Sequence, residues 1–98
     1  MAITATLEVR LKADKLDTAF AVIHETLTAT RAFPGCLGVT VLVDNADHTH
    51  VALYEQWESA EADAAYRQWR TTEEGASNLR TVLAAAPTLT VFTIAEDV

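Results

Sequence analysis

Hydrophobic and polar residues alternate from the start of the chain. The apolar positions of this run are Ile3, Ala5, Leu7, Val9 and Leu11, and threonine, glutamate and arginine lie between them. A period of two is typical of a strand with one buried face. The pattern therefore predicts a first strand over residues 3–11.

A helical repeat follows this strand. Its apolar positions are Leu16, Phe20, Ile23 and Leu27. Spacings of three and four residues predict an amphipathic helix that reaches about residue 31. We expect Asp14 to cap the N-terminus of this helix and Pro34 with Gly35 to end it.

The middle of the chain predicts a hairpin. The strands cover residues 36–43 and 48–57, and the polar sequence of residues 44–47 forms the turn between them. Ser59 is a good cap for a second helix. The predicted buried stripe of that helix consists of Ala62, Ala65, Tyr66 and Trp69.

The end of the chain predicts a helical piece and a last strand. Leu79, Val82 and Leu83 lie at helical spacing before Pro87, and residues 88–94 form the strand. The element order is then β-α-β-β-α-β in one domain over residues 1–98. This order is typical of a ferredoxin-like α+β fold, an antiparallel sheet with both helices on one face.

The last strand has apolar residues on both faces. Leu89 and Val91 fall on one side, and Phe92 and Ile94 fall on the other. A strand that is apolar on both sides needs a packing partner on each face of the sheet, but helices are expected on one face only. We therefore expect a homodimer joined by sheet-to-sheet packing.

Charge and composition narrow the possible partners. The formal net charge of the 98 residues is −7, which disfavours a nucleic-acid partner. No apolar run is long enough to span a bilayer, so we expect no membrane partner. A single cysteine, Cys36, fits a reducing compartment. With no secretory leader visible, the expected location is the cytoplasm.

The third strand carries the most informative chemistry. Glu55 and Trp57 are two residues apart, so their side chains point to the same face. A carboxylate that faces an apolar cavity must be paired or must have a raised pKa, and the second case would suit a general base. The alternative is an internal ion pair between Glu55 and Arg67, Arg70 or His24.

Two segments resemble the antibiotic biosynthesis monooxygenase domains, which belong to the dimeric α+β barrel proteins. The segments are TRAFPGCLG at residues 30–38 and LYEQWES at residues 53–59. The resemblance implies a homodimer with a site between helices and sheet in each subunit. Several members oxidise polycyclic phenols or quinols with O₂ and need no metal or flavin, so no cofactor is expected here.

The resemblance also has departures. The quinone-forming branch can carry an asparagine where this chain has Leu53, and an aromatic hydroxyl where it has Asp63. The second helix lacks the histidine of many relatives. The haem-degrading branch uses an asparagine on the first strand, which is absent here. Haem degradation is therefore not expected.

The resemblance and the strand pattern give a candidate site. Trp57 and Leu53 are expected to line it, and the alternative for Trp57 is plain core packing. Tyr66 and Trp69 could stack a planar substrate, or simply pack. The remaining polar candidates are His24 and Arg70. Arg70 could hold a developing phenolate or form a surface ion pair, and His24 is a second candidate base or a half-exposed residue without a role.

Two other features are interpreted as structural. His48 and His50 lie near a hairpin tip without a further soft ligand, so no metal site is expected. Cys36 has no activating neighbour in sequence. Three functions remain open: a cofactor-independent monooxygenase of a phenol or quinol, a non-oxidative isomerase or cyclase of an aromatic or polyketide metabolite, and a non-catalytic protein that binds a small aromatic ligand.

Overall fold

The computed structural model describes all 98 residues. Its elements are β1 (Ile3–Arg10), α1 (Leu16–Ala32), β2 (Cys36–Val43), β3 (His50–Trp57), α2 (Ala60–Arg70) and β4 (Thr88–Thr93). The strands form one antiparallel sheet in the order β2-β3-β1-β4. This is the ferredoxin-like α+β fold that the element order predicts. Neither helix has the length and apolar character needed to cross a membrane.

The side-chain alternation of the two central strands separates the faces of the sheet. Leu7 of β1 lies opposite Leu53 of β3, and Ala5 lies opposite Glu55. Along β3 every second residue from Val51 to Trp57 is buried. These buried residues face the helices, because successive side chains of a strand point to opposite sides.

The core divides into two clusters. The larger joins the sheet to α1 and to the segment after α2, and it includes Val9, Ile23, Leu27 and Leu53. The smaller consists of Ile3, Ala5, Trp57 and Tyr66, with the partly buried Phe33 and Trp69 packed against it.

The start and phase of α1 differ from the prediction. Asp14 does not cap α1, because it lies in a short 3-10 helix over Ala13–Lys15, and no side chain caps α1. Phe20 is 38% exposed, whereas Ala19 and Ile23 are buried. At about 100° per residue, Phe20 falls at the edge of the buried face rather than within it.

The predicted cap of α2 is confirmed, but its buried face is rotated. The Ala62 backbone N–H donates to Ser59 Oγ at 3.1 Å. Ala65 is exposed, contrary to the prediction, and Asp63 is buried. Arg67 lies one turn after Asp63 and pairs with it and with Glu55 of β3, so this side of α2 lies against the sheet.

The remaining boundaries shift by a few residues. β3 begins at His50 rather than at residue 48, and the helical piece near the C-terminus is a single 3-10 turn over Leu79–Val82. Leu83 forms an isolated bridge with Leu11, which closes this segment against the end of β1.

β4 is exposed on both faces. Leu89 and Val91, which lie opposite Leu7 and Ala5, are 43% and 48% exposed. Phe92 on the other face is 50% exposed, and Ile94, which follows the last residue of β4, is 51% exposed. The single chain therefore leaves apolar surface on this strand that no element of its own covers.

Candidate functional site

A cavity of about 600 Å³ lies between α1, the segment after α2 and the helix-facing side of the sheet. Its apolar wall consists of Leu7, Leu27, Leu53, Leu79, Leu83 and Pro87. The polar groups on the wall include Thr26, Glu55, Tyr66, Arg67, Arg70, Thr71, Ser77 and Arg80. This volume, and a wall that is about half apolar and half polar, suit a small organic ligand with polar groups of its own.

Glu55 is the only acidic residue on the wall, and it is 2% exposed. Its Oε1 oxygen accepts a 3.0 Å hydrogen bond from Trp57 Nε1 and a 2.6 Å hydrogen bond from Arg67 Nη2. The ion pair with Arg67 was one of the alternatives that the sequence left open, and the structure contains it.

The second carboxylate oxygen of Glu55 is oriented differently. Oε2 has no hydrogen-bond partner in the protein, yet no buried side-chain oxygen in the chain lacks a partner. Oε2 therefore retains accessible surface, and the cavity is the space that Glu55 lines. A carboxylate held by one oxygen and open at the other can accept a proton from a bound molecule.

Arg67 links two buried carboxylates. Besides Glu55, its Nη2 lies 3.0 Å from Asp63 Oδ1, and its Nε donates to the same oxygen at 3.2 Å. Asp63 and Arg67 are one turn apart on α2, whereas Glu55 lies on β3. The arrangement fixes the helix to the sheet at the edge of the cavity.

Tyr66 and Arg70 form a second polar group on the wall. Arg70 Nε donates to Tyr66 Oη at 2.7 Å, and Tyr66 Oη lies 2.7 Å from Thr30 Oγ1. Arg70 Nη2 donates to Thr30 Oγ1 and to the Thr26 carbonyl, and Nη1 donates to the Gly75 carbonyl. One guanidinium thus joins α1, α2 and the loop after α2.

Trp57 lies in the core, and it is not among the residues that line this cavity. It is 0% exposed, and its ring lies 4.9 Å from Tyr66 and 6.1 Å from Phe33, centroid to centroid. These are packing distances for aromatic pairs. Trp57 reaches the site only through its hydrogen bond to Glu55.

Trp69 and His24 also lie outside the cavity wall. Trp69 packs on Phe33 at 5.4 Å, and its ring lies 4.9 Å from the Arg70 guanidinium carbon. His24 is exposed on α1, where it follows the buried Ile23. Since one residue turns a helix by about 100°, His24 points away from the face that Ile23 buries. The structure brings Glu55, Leu53, Tyr66 and Arg70 together but not His24.

Several wall residues were not predicted. Arg80 and Ser77 belong to the segment after α2, where the helical spacing marks only the apolar positions Leu79, Val82 and Leu83. Thr26 lies on the buried face of α1, which an apolar stripe alone does not reveal. The buried Asp63 could have been found from its four-residue spacing to Arg67, which is the spacing of a helical ion pair.

The pKa values of His50 and Cys36, which both lie away from the cavity, are raised. His50 lies between Asp44 and Glu8, and hydrogen bonds to these carboxylates raise its pKa. Burial raises the pKa of the Cys36 thiol, although a backbone hydrogen bond from Gly38 opposes the shift. No group of three or more histidine, cysteine, aspartate or glutamate side chains is arranged to hold a metal ion.

Comparison with known proteins relates this geometry to a family. The profile of the family described as antibiotic biosynthesis monooxygenase matches residues 2–76. No functionally curated protein matches the chain significantly in sequence.

Solved structures share the fold at low sequence identity. Rv0793 from Mycobacterium tuberculosis is 16% identical and has a TM-score of 0.79, with 99% of this chain and 98% of that chain covered. A proposed antibiotic biosynthesis monooxygenase from Deinococcus radiodurans is 18% identical with a TM-score of 0.79, over 100% and 96% of the two chains. A conserved protein from Methanosarcina mazei Go1 is 14% identical with a TM-score of 0.78, over 94% and 91%.

Proposed function

The chain belongs to the antibiotic biosynthesis monooxygenase family, and from this membership we propose that it is an O₂-dependent monooxygenase of a small phenol or quinol. The observation that carries the proposal is Glu55, a buried carboxylate with one oxygen open to an apolar cavity. The cavity between helices and sheet would hold the substrate, with its ring against Leu7, Leu27 and Leu53.

The proposed reaction begins with proton transfer. Glu55 Oε2 takes the proton of the ring hydroxyl and leaves an electron-rich phenolate. The phenolate gives one electron to O₂, and the resulting radical pair recombines to a ring peroxide anion. This anion takes the proton back from Glu55 and becomes a ring hydroperoxide. Loss of water then gives the quinone, so one phenol and one O₂ yield one quinone and one water. The substrate supplies the electrons, and the protein supplies the base and the orientation.

The neighbours of Glu55 have supporting roles in this proposal. Trp57 and Arg67 both bind Oε1, which directs Oε2 towards the cavity. Base catalysis typically contributes about 10²- to 10⁴-fold, so orientation of the substrate in the cavity must supply a large part of the rate.

Oxygen uptake tests the proposed function. Metal-stripped protein is supplied with a panel of quinols and naphthols, and uptake is compared between wild type, Glu55→Gln and Glu58→Gln. Glu58 is an exposed carboxylate three residues away, so its variant is a matched charge control. Protein-dependent uptake that falls in Glu55→Gln alone supports the proposal.

Other outcomes select the alternatives. Conversion of a panel compound under nitrogen would favour a non-oxidative isomerase or cyclase. Saturable binding with no product under any gas would favour a binding protein. Uptake that is unchanged in Glu55→Gln would exclude Glu55 as the base.

We further propose that the active protein is a cytoplasmic homodimer joined through the far face of the sheet. The support is the exposed apolar surface of Phe92 and Ile94, together with the dimer that the family resemblance implies. The single thiol of Cys36 fits a reducing compartment.

A further inference from the structure

The cavity wall is positively charged in a protein that is strongly acidic. The chain has 14 acidic and seven basic residues. Three of those basic residues, Arg67, Arg70 and Arg80, line the cavity, and Glu55 is the only acidic residue there. A basic wall on an acidic protein is opposite to what its average composition would produce, so the charge is concentrated at the cavity.

Arg70 and Arg80 have no ion-pair partner, although Glu25 and Glu74 line a neighbouring pocket together with Arg70. Arg67 forms ion pairs with Glu55 and Asp63, but neither of the other two arginines forms an ion pair. Coulomb attraction to an anion is therefore available at both guanidinium groups, and it is stronger beside an apolar wall than in bulk water.

Arg70 is held rigidly with neutral acceptors. Its partners are two hydroxyl oxygens and two backbone carbonyls, those of Tyr66, Thr30, Thr26 and Gly75. These contacts use four of the five N–H groups of a guanidinium and leave one on Nη1 without a protein acceptor. A half-buried cation that is fixed in position and lacks a counter-ion is a preorganised anion site.

The side chain of Arg80, unlike that of Arg70, is not held by polar contacts with the protein. Its side chain makes no hydrogen bond or ion pair with the protein, and it is exposed beside the cavity. The exposed Arg80 therefore lies at the open side of the cavity, whereas Glu55, at 2% exposure, lies at its inner wall. Glu55, the proposed base, therefore lies deeper in the cavity than the guanidinium group of Arg80.

We infer that the ligand of this cavity is an aromatic carboxylate, whose ring hydroxyl faces Glu55 and whose carboxylate is bound by Arg70 and Arg80. The inference rests on the proposed function for the role of Glu55, and on the arginines alone for the negative charge of the ligand. A carboxylate suits them because guanidinium groups bind planar oxyanions through paired hydrogen bonds.

Calorimetric titration with a hydroxynaphthoate and its methyl ester tests the inference. The ester keeps the ring and hydroxyl but removes the negative charge. At about pH 7 and low salt, wild-type protein is expected to bind the acid about tenfold more tightly than the ester. Added salt should weaken binding of the acid and leave that of the ester unchanged, because salt screens only the charged contact.

Arg80→Gln is the diagnostic variant, because the Arg80 side chain makes no hydrogen bond or ion pair that the change would remove. We expect it to reduce the preference for the acid to about threefold or less without changing ester binding. Arg31→Gln removes the same charge from the last turn of α1, where Arg31 donates to the Val39 carbonyl and does not line the cavity. This control should keep the wild-type preference.

The titrations are run under nitrogen, so that they are independent of turnover. Equal binding of acid and ester, binding of neither compound, or an unchanged preference in Arg80→Gln would overturn the inference. Preference for the acid with no oxygen uptake across the panel would retain the anion site and reject the monooxygenase. Oxygen uptake without any preference for the acid would retain the monooxygenase and reject the anion site.

Discussion

Arg67 Nη2 lies 2.6 Å from Glu55 Oε1, and this ion pair joins α2 to β3 beside the cavity. The carboxylate is buried, and the arginine side chain is 24% exposed. The same contact has two consequences, one for stability and one for chemistry, and they can be measured separately.

Replacement of Glu55 by glutamine should destabilise the fold. Glutamine keeps a hydrogen-bond acceptor near Arg67 but removes the charge, so we expect a loss of about 1–3 kcal/mol in the free energy of unfolding. Urea denaturation followed by tryptophan fluorescence measures it. Glu58→Gln, which removes an exposed carboxylate, should change the free energy by less than about 0.5 kcal/mol. Equal losses in both variants would contradict a stabilising role for the ion pair.

Tyr66→Phe should loosen the wall formed by α1 and α2. The change removes the hydroxyl that accepts from Arg70 and contacts Thr30. Two buried polar partners lose a bond, so we expect a cost of about 1–3 kcal/mol. Tyr54→Phe is the matched control, because the Tyr54 hydroxyl is on the far face and has no protein partner. Chemical denaturation of both variants checks this, and a neutral Tyr66→Phe would disprove it.

Gly75→Ala should disturb the loop that supplies a carbonyl to Arg70. A Cβ at position 75 would overlap the backbone carbonyl of Trp69, which cannot move without disrupting the end of α2. Overpacking of this kind typically costs about 1–3 kcal/mol. Calorimetric melting should show a lower Tm than wild type, whereas Glu74→Ala at the exposed neighbouring position should leave it unchanged. A wild-type Tm in Gly75→Ala would mean that the loop relaxes freely.

His50 should make stability depend on pH. The hydrogen bonds to Asp44 and Glu8 raise the pKa of His50 above its usual 6.5, despite the opposing charge of Arg10. A raised folded-state pKa stabilises below the unfolded value, and this contribution is lost as pH rises through the folded pKa. Hydrogen bonds to His50 and Ala46 lower the pKa of Asp44 below its usual 3.8, so the contribution of Asp44 is lost as pH falls through its folded pKa.

The His50→Gln variant tests this pH dependence. Wild-type Tm should fall as pH rises from about 6.5 upwards, and the variant should show a flatter curve over that range. A ring-proton NMR titration would give the pKa of His50 directly. His48→Gln is the control, because His48 makes no side-chain hydrogen bond or ion pair. Identical curves for wild type and His50→Gln would refute the coupling.

The exposed faces of β4 predict an oligomer. Light scattering after size exclusion should give about twice the chain mass of 10.6 kDa. Phe92→Glu places a charge on the far face of the sheet and should shift the protein towards the monomer, because the buried charge would have no partner. Phe20→Glu on α1 removes an exposed aromatic from the helix side and should remain dimeric. A monomeric wild type would exclude the sheet-to-sheet dimer.

The shared orientation of the candidate residues on β3 was predictable from sequence. Glu55 and Trp57 share a face because strand side chains alternate with a period of two, which is a local property. Whether that face meets a cavity or the core depends on what packs above each position, and the sequence did not separate the two residues. The structure places Glu55 on the wall and Trp57 behind it.

The other site residues were harder to predict, because they lie in irregular segments or depend on which face of a helix is buried. Arg80 follows a loop and lies in a single 3-10 turn, so no pattern relates it to Glu55, which is 25 residues earlier in the chain. His24 and Phe20 were assigned from their nearness to an apolar stripe, but its centre lies on Ala19 and Ile23. Long-range contacts decide such cases, as when the Arg70 guanidinium bonds to Thr26 and Thr30.

The contacts of Arg70 also affect how this cavity could be redesigned. Because this side chain bonds to α1, α2 and the loop at Gly75, a substitution there alters the architecture together with the binding surface. Arg80 and Ser77 line the same space from the segment after α2, and Arg80 makes no structural side-chain contact. Laboratory evolution of ligand selectivity should therefore accumulate its first accepted substitutions at Arg80 and Ser77, with Arg70 retained until stabilising changes have been introduced elsewhere.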